Sequence, residues 1–194
     1  KEIQPGMTEK NVASLIFRHA KRLGASGVAF RTIVASGKRS ALIHGRASSK
    51  KIKFGDPILL DYGVVVNGFR SDISRTIYVG AISTKNRKIY ALVLKAQQNA
   101  VKNIKAGADC VFIDSCARNI ITRAGFGKNF PHSTGHGLDK KVHAAPKVGP
   151  RSKSTLKNGD IITIEPGIYL KGSWGIRIED DYVVTPQGPR CLTS

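Results

Sequence analysis

An internal repeat constrains this chain more than any other feature, because two helical patterns match at a constant offset of 101 residues, from Thr8 to Asp109. Each pattern opens with a residue typical of a helix N-cap and closes with a glycine, Gly24 or Gly125. Their apolar faces share one amphipathic spacing and consist of Val12, Leu15, Ile16, Ala20 and Leu23, and of Ile113, Cys116, Ala117, Ile121 and Ala124. The sequence therefore predicts two related halves, each beginning with a helix.

A second correspondence extends the repeat into strands. The segment from Gly55 to Asp61 matches the segment from Gly159 to Glu165, at an offset of 104 residues. Both segments lead from turn residues into an apolar strand that ends in a carboxylate. A long helix is predicted between the halves over 86–105, and further strands over 28–35, 64–67, 74–79 and 176–184. These elements predict one α+β domain, residues 1–194, with internal two-fold symmetry.

Four carboxylates are expected to meet near the symmetry axis. Asp61 and Glu165 occupy equivalent positions, and each is followed by an acidic companion, Asp72 or Glu179. The separations of 11 and 14 residues suit a strand, a turn and a returning strand. Four buried carboxylates require a compensating charge, and two divalent cations would supply it.

The segment His132-Ser-Thr-Gly-His136-Gly adds imidazole to this set. A mixed oxygen and nitrogen site suits Mn, Co, Zn or Fe, and a preponderance of carboxylates favours Mn. Two such ions about 3.5–4 Å apart hold a bridging water or hydroxide and polarise a carbonyl, which is the chemistry of peptide hydrolysis without a covalent enzyme intermediate.

Five motifs in order carry a resemblance to a known family, and they occupy residues 61–63, 71–76, 132–137, 163–167 and 177–180. With them the chain resembles the pita-bread metallopeptidases, a family that includes methionine aminopeptidase, aminopeptidase P, prolidase and creatinase. The resemblance runs from the first residues to about Val184. It implies a pita-bread fold with a curved antiparallel sheet and outer helices, an upstream domain that this chain lacks, and a homodimer.

The resemblance also implies a set of metal ligands. Asp61 would chelate one metal ion, and Asp72 and Glu179 would bridge both. His136 and Glu165 would complete the coordination of the other ion. Glu165 would in addition accept a proton from the attacking water.

Three further histidines and one arginine match the branch of the family that cleaves before proline. His143 would stabilise the developing oxyanion, and His132 would bind the substrate backbone or transfer protons. His44 would shape the substrate pocket, and Arg177 would contact the substrate. The chain is thus expected to be an Xaa-Pro aminopeptidase or Xaa-Pro dipeptidase acting on peptides.

Alternatives to these assignments stay open. Arg177 is alternatively an ion-pair partner of an acid such as Asp180. Lys140 and Lys141 depart from the family pattern and would either loosen the orientation of His143 or recognise a substrate carboxylate. Methionine aminopeptidase activity is the second enzymatic hypothesis, and a non-catalytic domain that binds nucleic acid or protein is the third.

The net charge of +19, from 32 Lys and Arg against 13 Asp and Glu, is the unusual global property. The basic residues are scattered without interleaved aromatics, which favours a solvated surface over a nucleic-acid site. Three cysteines, Cys110, Cys116 and Cys191, form no Cys-x-x-Cys pair and indicate reduced thiols in the cytoplasm. No apolar run of about 18 residues occurs, so no membrane association is expected.

Overall fold

Helices and short antiparallel strands alternate along the chain in a computed structural model that describes residues 2–193. The three α-helices are α1 (Glu9–Arg22), α2 (Thr84–Val101) and α3 (Cys110–Arg123). The strands of the first half are β1 (Gly27–Val28), β2 (Ile33–Ser36), β3 (Pro57–Tyr62), β4 (Val64–Val66), β5 (Phe69–Arg70) and β6 (Ile73–Tyr78). Those of the second half are β7 (Gly135–Gly137), β8 (Ala144–Val148), β9 (Ile161–Ile164), β10 (Gly167–Leu170), β11 (Trp174–Arg177), β12 (Asp180–Thr185) and β13 (Gly188–Cys191).

The two halves repeat one another in detail around the starts of α1 and α3. Thr8 caps α1 through a capping box with Asn11, and Asp109 occupies the equivalent position before α3. Thr8 forms an isolated antiparallel bridge with Lys51, and Asp109 forms the corresponding bridge with Thr155. Each helix is therefore tied at its N-terminus to the turn that enters the central strand of its half.

The sheets of the two halves meet at the centre of the molecule. One sheet has the strand order β2-β3-β6, and the larger one has the order β13-β12-β9-β7-β8, with every pairing antiparallel. The backbone N–H of Glu179 donates to the carbonyl of Ser74 at 3.1 Å, and Thr76 Oγ1 donates to the carbonyl of Arg177 at 3.0 Å. These bonds join β6 to the region of β11 and β12, so the edges that carry the acidic residues face one another.

The main core lies between the larger sheet and the helices α2 and α3. Its fully buried members include Val93, Ile113, Ile121, Ile162 and Ile176. A smaller core under α1 contains Val12, Val34, Ile52, Ile58 and Leu60. Burying one such side chain contributes about 1.5–3 kcal/mol, so the cores hold helices on one side of the sheets and leave the other side for a cleft.

The predicted α+β architecture with antiparallel strands and a two-fold repeat is confirmed, but three predicted elements differ from the observed ones by more than one residue at an end or are divided. The helix predicted over 86–105 covers 84–101, because Ser83 accepts a hydrogen bond from Asn86 as its N-cap. The strand predicted over 28–35 divides into β1 and β2, because the chain there crosses from one sheet to another. The strand predicted over 176–184 is likewise interrupted at 178–179, a break that includes Glu179.

Among residues 2–193, no helix is both long enough and apolar enough to cross a membrane.

Candidate active site

A cleft of about 940 Å³ opens between the two halves of the molecule. Its lining includes side chains from both sheets and from the loops around them. All nine site residues predicted from the sequence line this one cleft: His44, Asp61, Asp72, His132, His136, His143, Glu165, Arg177 and Glu179. The roles assigned to them from the family resemblance remain predictions.

The pseudo-symmetry of the strands explains why the acidic residues converge. Asp61 lies on β3 opposite Ser74 of β6, and Ile164, next to Glu165, lies opposite Asp180 of β12. The central strand of each half thus delivers one carboxylate to the cleft, and its hairpin partner delivers a second one nearby. Asp72 immediately precedes β6, and Glu179 immediately precedes β12.

Three of these side chains form a compact group of potential metal ligands. One ligand atom from each of Asp72, His136 and Glu179 lies within 4.8 Å of the others. His136 Nε2 is 3.7 Å from Asp72 Oδ2 and 3.5 Å from Glu165 Oε1. The group contains carboxylate oxygens and one imidazole nitrogen, which is a donor set suited to a divalent transition metal.

The carboxylates carry the electrostatic signs of a cation site. Burial, followed by the neighbouring charges of Asp61 and Glu165, raises the pKa of Asp72 to about 9. Burial likewise raises the pKa of Glu165 to about 8 and raises the pKa of Glu179, to which Asp72 contributes. The Oδ1 atom of Asp61 is buried and has no hydrogen-bond partner among the described residues. Divalent cations would offset the repulsion between the carboxylates and would give the Oδ1 atom of Asp61 a partner. The residues therefore fit a metal centre.

The backbone around His136 aims its ring at the carboxylates. His136 Nδ1 lies 3.0 Å from the carbonyl of Gly137, so this nitrogen carries the proton and Nε2 presents its lone pair to the cleft. Burial lowers the pKa of His136 to about 4, which keeps the ring neutral at pH 7. Glycines flank it because a Cβ on Gly135 or Gly137 would lie 1.9 or 2.0 Å from a backbone carbonyl oxygen.

Arg177 is buried and is held by groups of the protein itself. It forms an ion pair with Asp61, and its Nε and Nη1 donate to Ser74 Oγ at 2.8 Å and to the hydroxyl of Tyr169 at 2.9 Å. Asp180, the alternative partner considered from the sequence, is paired with Arg75 instead. Arg177 therefore fixes the position of Asp61.

Tyr169 was not identified from the sequence and connects Arg177 with His132. The Nδ1 of His132 lies 2.8 Å from the carbonyl of Ser133 and carries the proton, so Nε2 accepts from the Tyr169 hydroxyl at 2.9 Å. Burial lowers the pKa of His132 to about 4 and raises the pKa of Tyr169 to about 12. The pair is neutral at pH 7. A tyrosine four residues after Glu165, outside every predicted strand, offered no distinct sequence signal.

The other two histidines lie on the exposed walls of the cleft. The ring of His143 packs edge-on against His136 with 4.4 Å between centroids. His44 lies on the opposite half of the molecule, between the short 3-10 helix Gly37–Ala41 and β3. Both residues therefore line the cleft that contains the carboxylate group.

Two further buried acids support the site and were missed. Asp114 on α3 accepts hydrogen bonds from Arg118 and from Thr134, at 2.7 Å each, and so anchors the segment that carries His132 and His136. An acid and an arginine four residues apart on a helix was the signal for this pair.

Asp181 lies behind Asp72. Its Oδ2 accepts from the backbone N–H of Asp72 at 3.1 Å, and its Oδ1 is buried without a partner among the described residues. Burial raises the pKa of Asp181 to about 7. The carboxyl group of Asp181 therefore fixes the backbone at Asp72. No sequence pattern predicted this role for Asp181.

The two lysines that depart from the family pattern lie outside the cleft lining. Lys140 and Lys141 are exposed, and the carbonyl of Lys140 accepts from Arg70 Nε at 2.9 Å. Among residues 2–193, neither side chain forms a hydrogen bond or a cation–π contact with the ring of His143, and both hypotheses about these lysines stay predictions.

Together, the repeat of helix and antiparallel strands and the carboxylate-rich cleft define a two-fold repeated domain with a candidate metal site between its halves. The match to the model of Metallopeptidase family M24 over residues 1–186 shows that the chain belongs to that family.

Individual relatives agree with this assignment. The chain is 45% identical over 192 residues to the Xaa-Pro dipeptidase of Pyrococcus horikoshii, covering 99% of this chain and 55% of the relative. The prolidase structure from Pyrococcus furiosus superposes with a TM-score of 0.97 at 45% identity, over 100% of this chain and 57% of that one. The X-Pro aminopeptidase structure from Thermotoga maritima MSB8 gives a TM-score of 0.97 at 44% identity, over 100% and 54%. The predicted pita-bread fold is thereby confirmed, and the chain spans about half the length of the relatives it matches.

Proposed function

We propose that this chain is a metal-dependent exopeptidase domain that hydrolyses the bond between an N-terminal residue and a following proline. The convergence of Asp61, Asp72, His136, Glu165 and Glu179 around one cleft is the observation that carries the proposal. Four carboxylates line the cleft, and three of them, Asp72, Glu165 and Glu179, lie close to the neutral imidazole of His136. This arrangement favours two divalent cations over any arrangement of protonated acids.

These five side chains would hold the ions, with Asp72 and Glu179 shared between them. The carboxylate-rich set favours Mn, with Co, Zn or Fe as the alternatives. When bound, the ions supply a water nucleophile that is deprotonated at neutral pH and polarise the scissile carbonyl.

The remaining residues of the cleft have roles in binding and proton transfer. Glu165 lies beside His136 and is partly exposed to the cleft, which supports our assignment of Glu165 as the group that accepts the proton of the attacking water and returns it to the leaving amine. His132, neutral and fixed by Tyr169, contacts the substrate backbone. His143 lies next to His136 and donates a hydrogen bond to the carbonyl oxygen as negative charge develops on it. His44 forms part of the opposite wall of the cleft and would shape the substrate pocket.

The preference for proline rests on the relatives and on three of the four histidines that line the cleft, His44, His132 and His143. The relatives above bear the names Xaa-Pro dipeptidase, prolidase and X-Pro aminopeptidase. Methionine aminopeptidase activity is the enzymatic alternative. The second alternative is a non-catalytic domain that binds nucleic acid or protein through its basic surface. The same proposal includes a homodimer and a cytoplasmic location, for which three free cysteines suit a reducing compartment.

The experiment that tests the function measures hydrolysis of Ala-Pro, of Ala-Pro-Ala and of Met-Ala-Ser after chelator treatment and addition of Mn²⁺ or Co²⁺. We expect turnover of the proline peptides and about two bound ions per chain by elemental analysis. Cleavage of Met-Ala-Ser in preference to Ala-Pro-Ala would favour methionine aminopeptidase, and no cleavage of any peptide by the metal-loaded chain would favour a binding domain.

Matched variants separate the site from the fold. Asp72→Asn keeps the shape of the side chain and removes a shared ligand, so metal binding and turnover should both fall at least a hundredfold. Asp56→Asn removes a partly buried acid outside the cleft, paired with Lys50, and should leave both unchanged. Sedimentation velocity on the same samples tests the homodimer.

A further inference from the structure

The mouth of the cleft carries four basic side chains that no carboxylate neutralises. Arg31, Arg46, Lys147 and Arg151 line the cleft and are exposed, and we call them the cationic rim. Within residues 2–193, none of the four lies within 4.0 Å of a carboxylate oxygen. The rim is therefore a concentration of free positive charge at the entrance to the site.

The rim differs from the other arginines of the cleft. Arg118 is bonded to Asp114 through two nitrogens, at 2.7 and 2.8 Å, and Arg177 is paired with Asp61. The acids in the lining are those assigned to the metal centre: Asp61, Asp72, Glu165 and Glu179. Cations held by those carboxylates would cancel their charge and leave the rim without any counter-charge inside the cleft.

Strand register shows that part of the rim is built into the sheets. Lys147 of β8 lies directly opposite His136 of β7. Arg46 bridges to Ile33, which in turn lies opposite Asp61. Side chains opposite one another in an antiparallel pair project from the same face, so each half presents one cation on the face that bears a candidate metal ligand.

We propose that the cationic rim selects peptides with acidic side chains after the proline. This inference rests on the proposed function, since an enzyme that removes a single N-terminal residue leaves the rest of its substrate extending through the mouth of the cleft. Glu and Asp side chains at those positions would meet guanidinium and ammonium groups that bind carboxylates. The net charge of +19 adds a long-range attraction for the same substrates.

The test compares two amidated peptides, Ala-Pro-Glu-Glu-Ala-amide and Ala-Pro-Gln-Gln-Ala-amide, as substrates of the Mn²⁺-loaded chain. The two have nearly equal shape, and amidation removes the terminal carboxylate, so only the acidic side chains differ. At low salt we expect kcat/KM to be about tenfold higher for the Glu peptide, falling to about twofold at 0.5 M NaCl because exposed charges are screened. Equal rates at low salt, or a preference that salt does not reduce, would overturn the proposal.

A charge reversal locates the effect. In the double variant Lys147→Glu, Arg151→Glu, the ratio of kcat/KM for the Glu and Gln peptides should fall below one. The matched control, Lys95→Glu with Lys102→Glu, changes the net charge equally at exposed positions of α2 and at its end, outside the cleft lining, and should keep the ratio. An equal fall in both variants would assign the preference to net charge and contradict a local rim.

A binding measurement keeps the inference testable without turnover. Fluorescence anisotropy of the labelled peptides should show about tenfold tighter binding of the Glu peptide at low salt. Acid-selective binding without hydrolysis of these peptides, of Ala-Pro or of Ala-Pro-Ala would retain the rim and reject the proposed function, whereas equal hydrolysis and equal binding would retain the function and reject the rim. Tighter binding of a labelled oligonucleotide of equal charge would reject a peptide as the ligand.

Discussion

Raising the pH should destabilise this chain when divalent cations are withheld. Burial raises the pKa of Asp181 to about 7, of Glu165 to about 8 and of Asp72 to about 9. The folded chain therefore keeps protons that the unfolded chain releases near pH 4, and stability falls as pH rises through this interval. The neutral, buried His132 and His136, with pKa values of about 4, act in the opposite direction, but only up to the unfolded value near 6.5.

The window above pH 6.5 thus isolates the acids. In the folded chain, Asp181, Glu165 and Asp72 all keep a proton up to about pH 7, and Glu165 and Asp72 keep it up to about pH 8. At 1.36 kcal/mol per group and pH unit, these three acids should lower the free energy of unfolding by about 5 kcal/mol between pH 6.5 and 8, and the raised pKa values of Asp61 and Glu179 act in the same direction. That is a large part of the roughly 5–15 kcal/mol that stabilises a typical domain.

Urea unfolding followed by the fluorescence of Trp174 measures this directly, in chelator at pH 6.5, 7, 7.5 and 8. Asp72→Asn removes the acid whose pKa is raised to about 9 and should flatten the profile by about 2 kcal/mol over this range. Saturating Mn²⁺ should abolish the fall, because the bound ions favour charged carboxylates and bind only the folded chain. Unfolding free energies that stay constant or rise with pH in chelator would refute the reasoning.

Three further perturbations have defined outcomes. Arg177→Met leaves Asp61 buried and unpaired, and should lower the free energy of unfolding by about 3–5 kcal/mol in metal-free urea titrations; a change under 1 kcal/mol would contradict the ion pair. Gly137→Ala places a Cβ 2.0 Å from the carbonyl oxygen of Ala145, and should weaken Mn²⁺ binding in calorimetry at least tenfold, whereas native affinity would show that the strand can shift. Ile113→Ala empties a fully buried position, and should cost about 2–5 kcal/mol by urea unfolding without altering metal stoichiometry.

Much of the fold was predictable because its signals are local. The caps at Thr8 and Asp109 and the apolar periods that follow them involve residues within one helix, so α1 and α3 were found within a few positions. The turn-to-strand segments ending in Asp61 and Glu165 were equally visible. The division of the strand predicted over 28–35 was not, since either pairing partner of that segment lies tens of residues away.

The sequence alone therefore determined the two-fold repeat, the order of its elements and the residue types available for chemistry. Tertiary structure decided the partners. Arg177 meets Asp61 across 116 residues of chain and Asp181 meets the backbone of Asp72 across 109, and no local pattern specifies either contact. Both contacts depend on how the edges of two sheets dock, and docking depends on the packing of whole surfaces. Contacts between distant residues can be identified only once the two halves are packed together, whereas helix caps and apolar periods depend on residues within a few turns of the chain.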